Sequence, residues 1–312
     1  MIAFYRAIWR FTWRRQLTLI ALSLAVAGLA AAPLKLQEQI INHLIALGEP
    51  AVLVWLCLGY LGVVAVSGGL KFVLNFLTAG AGERVVRLIR GRLYTRAVEE
   101  GDAAVVSRGT LVTMTSAEAE GVGAFAGAAI ATPVLQIGTL LSVIGFIAAS
   151  EPRLGVIALA VIVPQVVIVV AIQARVNRAA RERTLRLRDA ADRLSARDLA
   201  QVEAEVTRDF DDVLALRLRI FRLKLSTKYL QSLISAAGTA GVLLLGGWLV
   251  LQGRTDTGTV VASLSGLTRL EGPWRELVAF YRQASVMRVS YEMLVNAFVR
   301  APAVTHPQAR PR

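Results

Sequence analysis

The feature that most limits what this chain can become is an uncharged run over residues 230–252, LQSLISAAGTAGVLLLGGWLVLQ. Its roughly 23 residues, at about 1.5 Å each, extend some 34 Å as a helix, enough for a hydrocarbon core of about 30 Å. An aqueous fold would leave such a run with no polar face to offer water. The polar turn Gly253-Arg254-Thr255-Asp256-Thr257-Gly258 then leads into TGTVVASLSGLTRLEGPWRELVAFYRQ, which is uncharged only for its first dozen residues. Arg269, Glu271, Arg275 and Glu276 follow where the bilayer should still be, so other helices are expected to enclose this segment.

Composition agrees with a polytopic membrane protein, since 55% of the 312 residues are hydrophobic and several further segments reach bilayer length. The net charge of +13 invites a nucleic-acid reading. The basic residues, however, cluster at helix ends and in the stretches 84–108 and 175–228, interleaved with acidic ones. That is the distribution the positive-inside rule gives to cytoplasmic segments, and nucleic acid is not an expected partner. Cys57 is the only cysteine, so no internal disulfide can form. His43 and His306 are too few and too isolated to suggest a metal site.

Taken in order, residues 2–15 form an amphipathic start, with Arg6, Arg10 and Arg14 on one helical face and Phe4, Ile8 and Phe11 on the other. This reads as a helix lying in the cytoplasmic membrane interface. The uncharged run 17–34 makes the first crossing and is expected to continue through Pro33 into LKLQEQIINHLIAL. The basic start and Ala30-Ala31-Ala32 also meet the formal pattern of a secretory signal, but the start is long and aromatic and more crossings follow.

After Gly48-Glu49-Pro50, residues 51–70 make the second crossing, and helical character persists past Arg84, Arg87, Arg92 and Arg96 to near Gly101. Such a helix, about 50 residues or roughly 75 Å long, must project beyond the bilayer. A third helix rises through GVGAFAGAAIATPVLQIGTLLSVIGFIAAS, where Gly123 and Gly127 give a small-residue spacing suited to close helix packing. Glu151-Pro152-Arg153 turns the chain, and residues 154–173 form the fourth crossing. From Gln165 to Ala237 there is neither Gly nor Pro, so helix is expected almost throughout, with one reversal near Ser195-Ala196-Arg197-Asp198. Beyond it Leu199, Val202, Val206, Phe210, Val213 and Ile220 recur at helical spacing. The expectation is an all-α membrane protein: six long transmembrane helices, two cytoplasmic helical extensions, and both termini inside. Residues 1–300 form one domain, and 301–312 a disordered cytoplasmic tail.

This layout resembles the transmembrane domain of ATP-binding-cassette exporters, in which residues 1–15 would be the interfacial elbow helix. The most specific local likeness is GGWLVLQGRTDTGTVVASLSGLTRLEGPWREL, similar to that family's passage from fifth to sixth helix, and more loosely GERVVRLIRGRLY after the second crossing. The resemblance implies that the two projections end in short coupling helices seated on a nucleotide-binding ATPase. Carried over by position, these fall within residues 97–108, with Val105, Val106 and Arg108, and within about 189–203, with Asp192, Ser195, Asp198 and Leu199. It also implies a homodimer or heterodimer in a lipid bilayer, the bacterial inner membrane being the expected one.

No G-x-x-x-x-G-K-[ST] loop occurs in these residues, so ATP and Mg²⁺ are expected on a separate ATPase subunit and the chain is not read as an enzyme. SLSGL at 263–267 looks like a signature-motif fragment but lies in a membrane helix, where packing accounts for it. No catalytic residue, cofactor or metal is expected in this chain. Candidate translocation-cavity or gating charges are Arg269, Glu271, Arg275, Glu276 and Arg282. If the last helix enters near Thr257, Arg269 lies about 18 Å deep and Arg275 about 27 Å deep. Each such charge costs at least about 2.5 kcal/mol unless paired or watered. By angle, Glu271, Arg275 and Arg282 share one face, and Arg269 and Glu276 fall on nearly the opposite one.

Two readings of these charges stand open: a polar stripe that contacts an anionic or zwitterionic substrate such as a lipid headgroup, or salt bridges between helices, with Glu271 and Arg275 close enough to pair. The second is favoured, because mixed charges have more ways to pair with each other than with a ligand. At the level of the whole chain the leading expectation is an exporter permease subunit driven by a separately encoded ATPase. The alternative is a motor-less membrane scaffold or regulatory protein that keeps the fold. A third reading makes these 312 residues the front part of a longer polypeptide.

Overall fold

The computed structural model describes residues 2–100, 116, 118–194 and 199–299. These form seven helices: α1 (Ile2–Leu29), α2 (Ala32–Ile45), α3 (Pro50–Glu100), α4 (Ala119–Ser150), α5 (Pro152–Leu194), α6 (Leu199–Leu251) and α7 (Thr257–Val299). No strand occurs among the described residues.

The punctuation follows backbone chemistry. Pro50 and Pro152 each open a helix, where a missing N–H costs nothing and the fixed φ suits the first turn. Before α5, the Glu151 carboxylate accepts a hydrogen bond from the Arg153 N–H at 3.4 Å, and its carbonyl accepts one from Leu154 at 3.0 Å. α6 ends in a left-handed glycine, Gly253 at φ 68°, with Arg254 N–H on Leu249 O at 3.0 Å and Gly253 N–H on Val250 O at 2.9 Å. That pair of bonds satisfies two carbonyls the helix end would otherwise leave open.

Two expectations about the first crossing change. The helix is not continuous through Pro33: Ala30 and Ala31 form a turn, and Pro33 sits in the first turn of α2 instead. In the other direction α1 runs unbroken through Arg15, so the amphipathic start and the apolar run share one helix. Among the described residues five stretches are long and apolar enough to cross a membrane: Trp13–Ile45, Pro50–Thr95, Ala119–Ser150, Pro152–Leu187 and Thr207–Leu251. α7, at 43 residues, is long enough but falls outside this set, because its charges begin at Arg269.

The chain divides into two compact units, Met1–Leu36 with Gly48–Val143 and Glu271–Arg312, and Gln37–Leu47 with Ile144–Leu270. In the first, α1 buries Gln16, Leu19, Ser23 and Val26, one stripe at spacings of three and four. Gln16 Nε2 donates to Ala126 O at 3.5 Å and Ser23 Oγ to Ala131 O at 3.3 Å, anchoring that stripe on α4. Gly123 and Gly127 do bring helices together, and their partner is α3. A Cβ on Gly127 would press on the Thr78 carbonyl oxygen and lie 2.8 Å from Gly82 N. Beyond this crossing Phe125 stacks on Phe280 at 5.3 Å, within a cluster that includes Leu93, Val122 and Ala284. None of the most apolar 18-residue window of α3 is buried within the chain, so that surface must meet lipid or a second protomer.

In the second unit α5 and α6 run antiparallel over much of their length. Gln165 Nε2 donates to Ser235 Oγ at 3.1 Å, then Val176 and Ala179 pack with Ile220, and then Arg186 meets Asp209. Gly238 takes its place against Val161 and Leu267, and Gly246 lies 2.9 Å, at its absent Cβ, from Val260. Where α7 starts, the Gly258 N–H donates to Asn42 Oδ1 of α2 at 2.9 Å. A side chain at 258 would strike Asn42 and the Glu38 carbonyl.

Candidate functional site

α7 buries Val260, Ser263, Leu267, Leu270 and Trp274, which recur at spacings of three and four and so form one stripe of the helix. The SLSGL fragment is part of it, with Ser263 and Leu267 inside, as packing requires. The candidate charges lie off this stripe. Arg269, Arg275, Glu276 and Arg282 are exposed and Glu271 is half-buried. Arg269 belongs to the second unit and the other four to the first.

None of the five makes an ion pair with a described residue, and the Glu271–Arg275 pair four residues apart is not closed. Charges that a chain does not pair within itself need water, a ligand or another chain beside them. Pro273 lies inside α7, and its missing N–H leaves the carbonyl of Arg269 without the usual helical donor. Nearby, the Trp274 indole N–H is buried without a hydrogen-bond acceptor among the described residues.

The residues expected to grip an ATPase are only partly visible. Val105, Val106, Arg108, Ser195 and Asp198 lie outside the described residues. Asp192 falls in α5 and Leu199 opens α6, as helical backbone only. What the structure does describe is how the helices that lead to these segments are joined. Arg90 of α3 meets Glu120 of α4 at 3.8 Å, both exposed. Arg186 of α5 meets Asp209 and Asp212 of α6 at 3.8 and 3.5 Å, and the Asp209 side chain is only 6% exposed. The first pair is surface-screened and worth little, whereas removing Arg186 from the second would take a cation from beside a buried carboxylate and cost more.

Sequence spacing missed one further feature. A cleft of about 640 Å³ opens between α1 and α3, with Arg15, Arg84 and Arg87 among its lining residues and Phe76 and Leu77 below them. The arginines count in the sequence only as cytoplasmic charge, and no motif links a residue of α1 to one some seventy positions later.

A family model described as the ABC transporter transmembrane region matches residues 17–196. No curated protein matches the chain.

Proposed function

The chain belongs to the ABC transporter transmembrane-region family, and from that premise we infer that it is the membrane-spanning subunit of an exporter-type transporter. It is a multi-pass membrane protein whose family region is not itself catalytic. In the proposed mechanism an amphipathic substrate moves by alternating access, and ATP and Mg²⁺ are handled by a separately encoded nucleotide-binding subunit. The single observation that carries the reading is the family match over residues 17–196, which takes in three of the five apolar stretches whole, most of a fourth, and the whole of α3.

Helix length supplies the mechanical part. α3, α5 and α6, at 51, 43 and 53 residues, would extend about 77, 65 and 80 Å, far beyond a hydrocarbon core of about 30 Å. Their surplus turns carry most of the positive charge, and the positive-inside rule assigns that end to the cytoplasm. Ion pairs near the far ends tie α3 to α4 and α5 to α6. A push delivered at 101–118 or 195–198 would then move each pair as one lever. α7 completes the proposed set of six crossings, with Glu271, Arg275 and Arg282, which share one helical face, turned to a watered cavity. A second protomer, identical or related, would cover the apolar face of α3.

Affinity purification of the tagged chain from native membranes tests the proposal. A soluble ATPase should co-purify, and Val105→Asp or Leu199→Asp should release it while the chain stays folded. Stable isolation with no ATPase, together with no ATP-dependent uptake into inside-out vesicles, would instead identify a motor-less scaffold. Sequencing the gene beyond codon 312 separates both from a longer fused polypeptide.

A further inference from the structure

The cleft between α1 and α3 changes character along its length. At one end Leu19, Phe76 and Leu77 line it, and at the other Arg15, Arg84 and Arg87 do. The α3 residues at 76, 77, 80, 83, 84 and 87 fall within one helical face of about 120°, and Arg15, Thr18 and Leu19 present one face of α1. From Phe76 to Arg84 the helix rises about 12 Å, so the change from apolar to cationic takes about two turns. Glu83 is the one acidic residue on the wall, leaving a net charge of two positive. Arg15, Arg84 and Arg87 have no ion-pair partner among the described residues.

Independent markers place the cationic end at a membrane–water boundary. Trp9 and Trp13 are exposed on α1 at 42% and 47%, and the Arg14 guanidinium lies 5.4 Å from the Trp13 ring centroid. Exposed tryptophans backed by arginine are typical of the headgroup level. On the apolar side, Phe72 and Phe76 stack at 6.5 Å and are 71% and 70% exposed, as side chains facing acyl chains would be.

We propose that this cleft binds one anionic phospholipid of the leaflet it opens to, its phosphate held by Arg15, Arg84 and Arg87 and an acyl chain laid along Phe76 and Leu77. The lipid is a fixed partner of the fold, not cargo. A soluble anion would use the arginines but leave the apolar floor bare, and a zwitterionic lipid would leave the net positive charge uncompensated. The volume sits within the range of about 300–1,000 Å³ usual for small-molecule sites. The proposal rests on α1 and α3 crossing the membrane, and not on transport, so it stands or falls apart from the identity of any ATPase.

The test uses the full chain in detergent micelles, titrated with phosphatidylglycerol, with phosphatidylcholine, and with glycerol 3-phosphate. Bound lipid is read by native mass spectrometry and the effect on the fold by thermal unfolding. Phosphatidylglycerol should add one molecule per chain and raise the unfolding temperature. Arg84→Gln with Arg87→Gln should weaken that binding roughly thirtyfold, each charge near a membrane surface being worth about a factor of five. Arg175→Gln with Arg178→Gln, which removes the same charge from α5, should leave it intact.

A steric variant guards against misfolding of the charge variant. Nothing lies within 4 Å of a Cβ at Gly80, so Gly80→Leu fills the cleft without touching the arginines and should abolish the bound lipid. Equal binding of the two lipids, or retention of phosphatidylglycerol by both the charge and the steric variants, overturns the proposal. Displacement of the lipid by millimolar glycerol 3-phosphate would reduce the cleft to a simple anion site and overturn it as well.

Discussion

Replacing Gly127 with alanine tests the packing of the first unit at its tightest point. The added Cβ would lie 2.8 Å from Gly82 N and 3.1 Å from Gly82 Cα, and closer still to the Thr78 carbonyl oxygen. All three atoms are backbone, so no rotamer change can relieve the contact. Restoring an ordinary separation of about 3.5 Å requires α3 and α4 to part by about 0.7 Å at least. A gap of that size forfeits a quarter to a half of each dispersion contact along the seam, and overpacking of this kind costs about 1–3 kcal/mol. Alanine's better helix propensity returns about 0.5–1 kcal/mol, leaving a net loss of about 1–2 kcal/mol. Gly145 of the same helix has nothing within 4 Å, so Gly145→Ala should keep only the gain. The propensity gain is common to both variants, so they should differ by the overpacking cost, about 1–3 kcal/mol, or roughly 2–12 °C in unfolding temperature at 2–4 °C per kcal/mol. Tryptophan fluorescence during heating in one detergent measures the difference. Gly123→Ala supplies an internal control, because its worst contact is the Val86 side chain. Val86→Ala should therefore rescue part of the Gly123 loss and none of the Gly127 loss. Equal melting of Gly127→Ala and Gly145→Ala would refute the claim that the two backbones touch here.

Four further substitutions probe the second unit. Arg186→Met should destabilise the α5–α6 pair by about 1–3 kcal/mol, since Asp209 stays buried after losing this partner, whereas Asp212→Asn, at a side chain 54% exposed, should stay within about 0.5 kcal/mol. Limited proteolysis of the α5–α6 region, compared between the two variants, reads the difference. Asn42→Ala should cost about 1 kcal/mol and speed amide exchange at Gly258, whose N–H loses its acceptor, while Asn42→Asp should keep both near the parent values.

What could be read from the residues alone was whatever a single helix records along its own length. The Gly- and Pro-free run from Gln165 to Ala237 announces long helix, and helix is what its described residues form, to Leu194 in α5 and from Leu199 in α6, while the reversal expected near 195–198 lies outside the described residues. The spacing of Gly123 and Gly127 announces a close approach, yet nothing in that spacing identifies α3 as the helix approached. The partner is chosen by a register between residues some forty positions apart, and only folding reveals it. Ala30-Ala31 departs from the helix that its composition predicts for a related reason. Alanine favours helix by propensity, and the turn there is set by Pro33, which prefers the first turn of a new helix to the interior of an old one.

The charges of α7 show the same limit from the other side. Their spacing permits Glu271 to pair with Arg275, but a pair forms only where the alternatives are worse, and the two stay apart, Arg275 exposed and Glu271 half-buried. The family likeness was also uneven in what it rested on. The passage that looked most specific, from the end of α6 into α7, lies beyond residues 17–196, while GERVVRLIRGRLY on α3 lies within them. The match therefore draws on α1 to α5. The function of α7, where the unpaired charges sit, has to be established by what binds beside them.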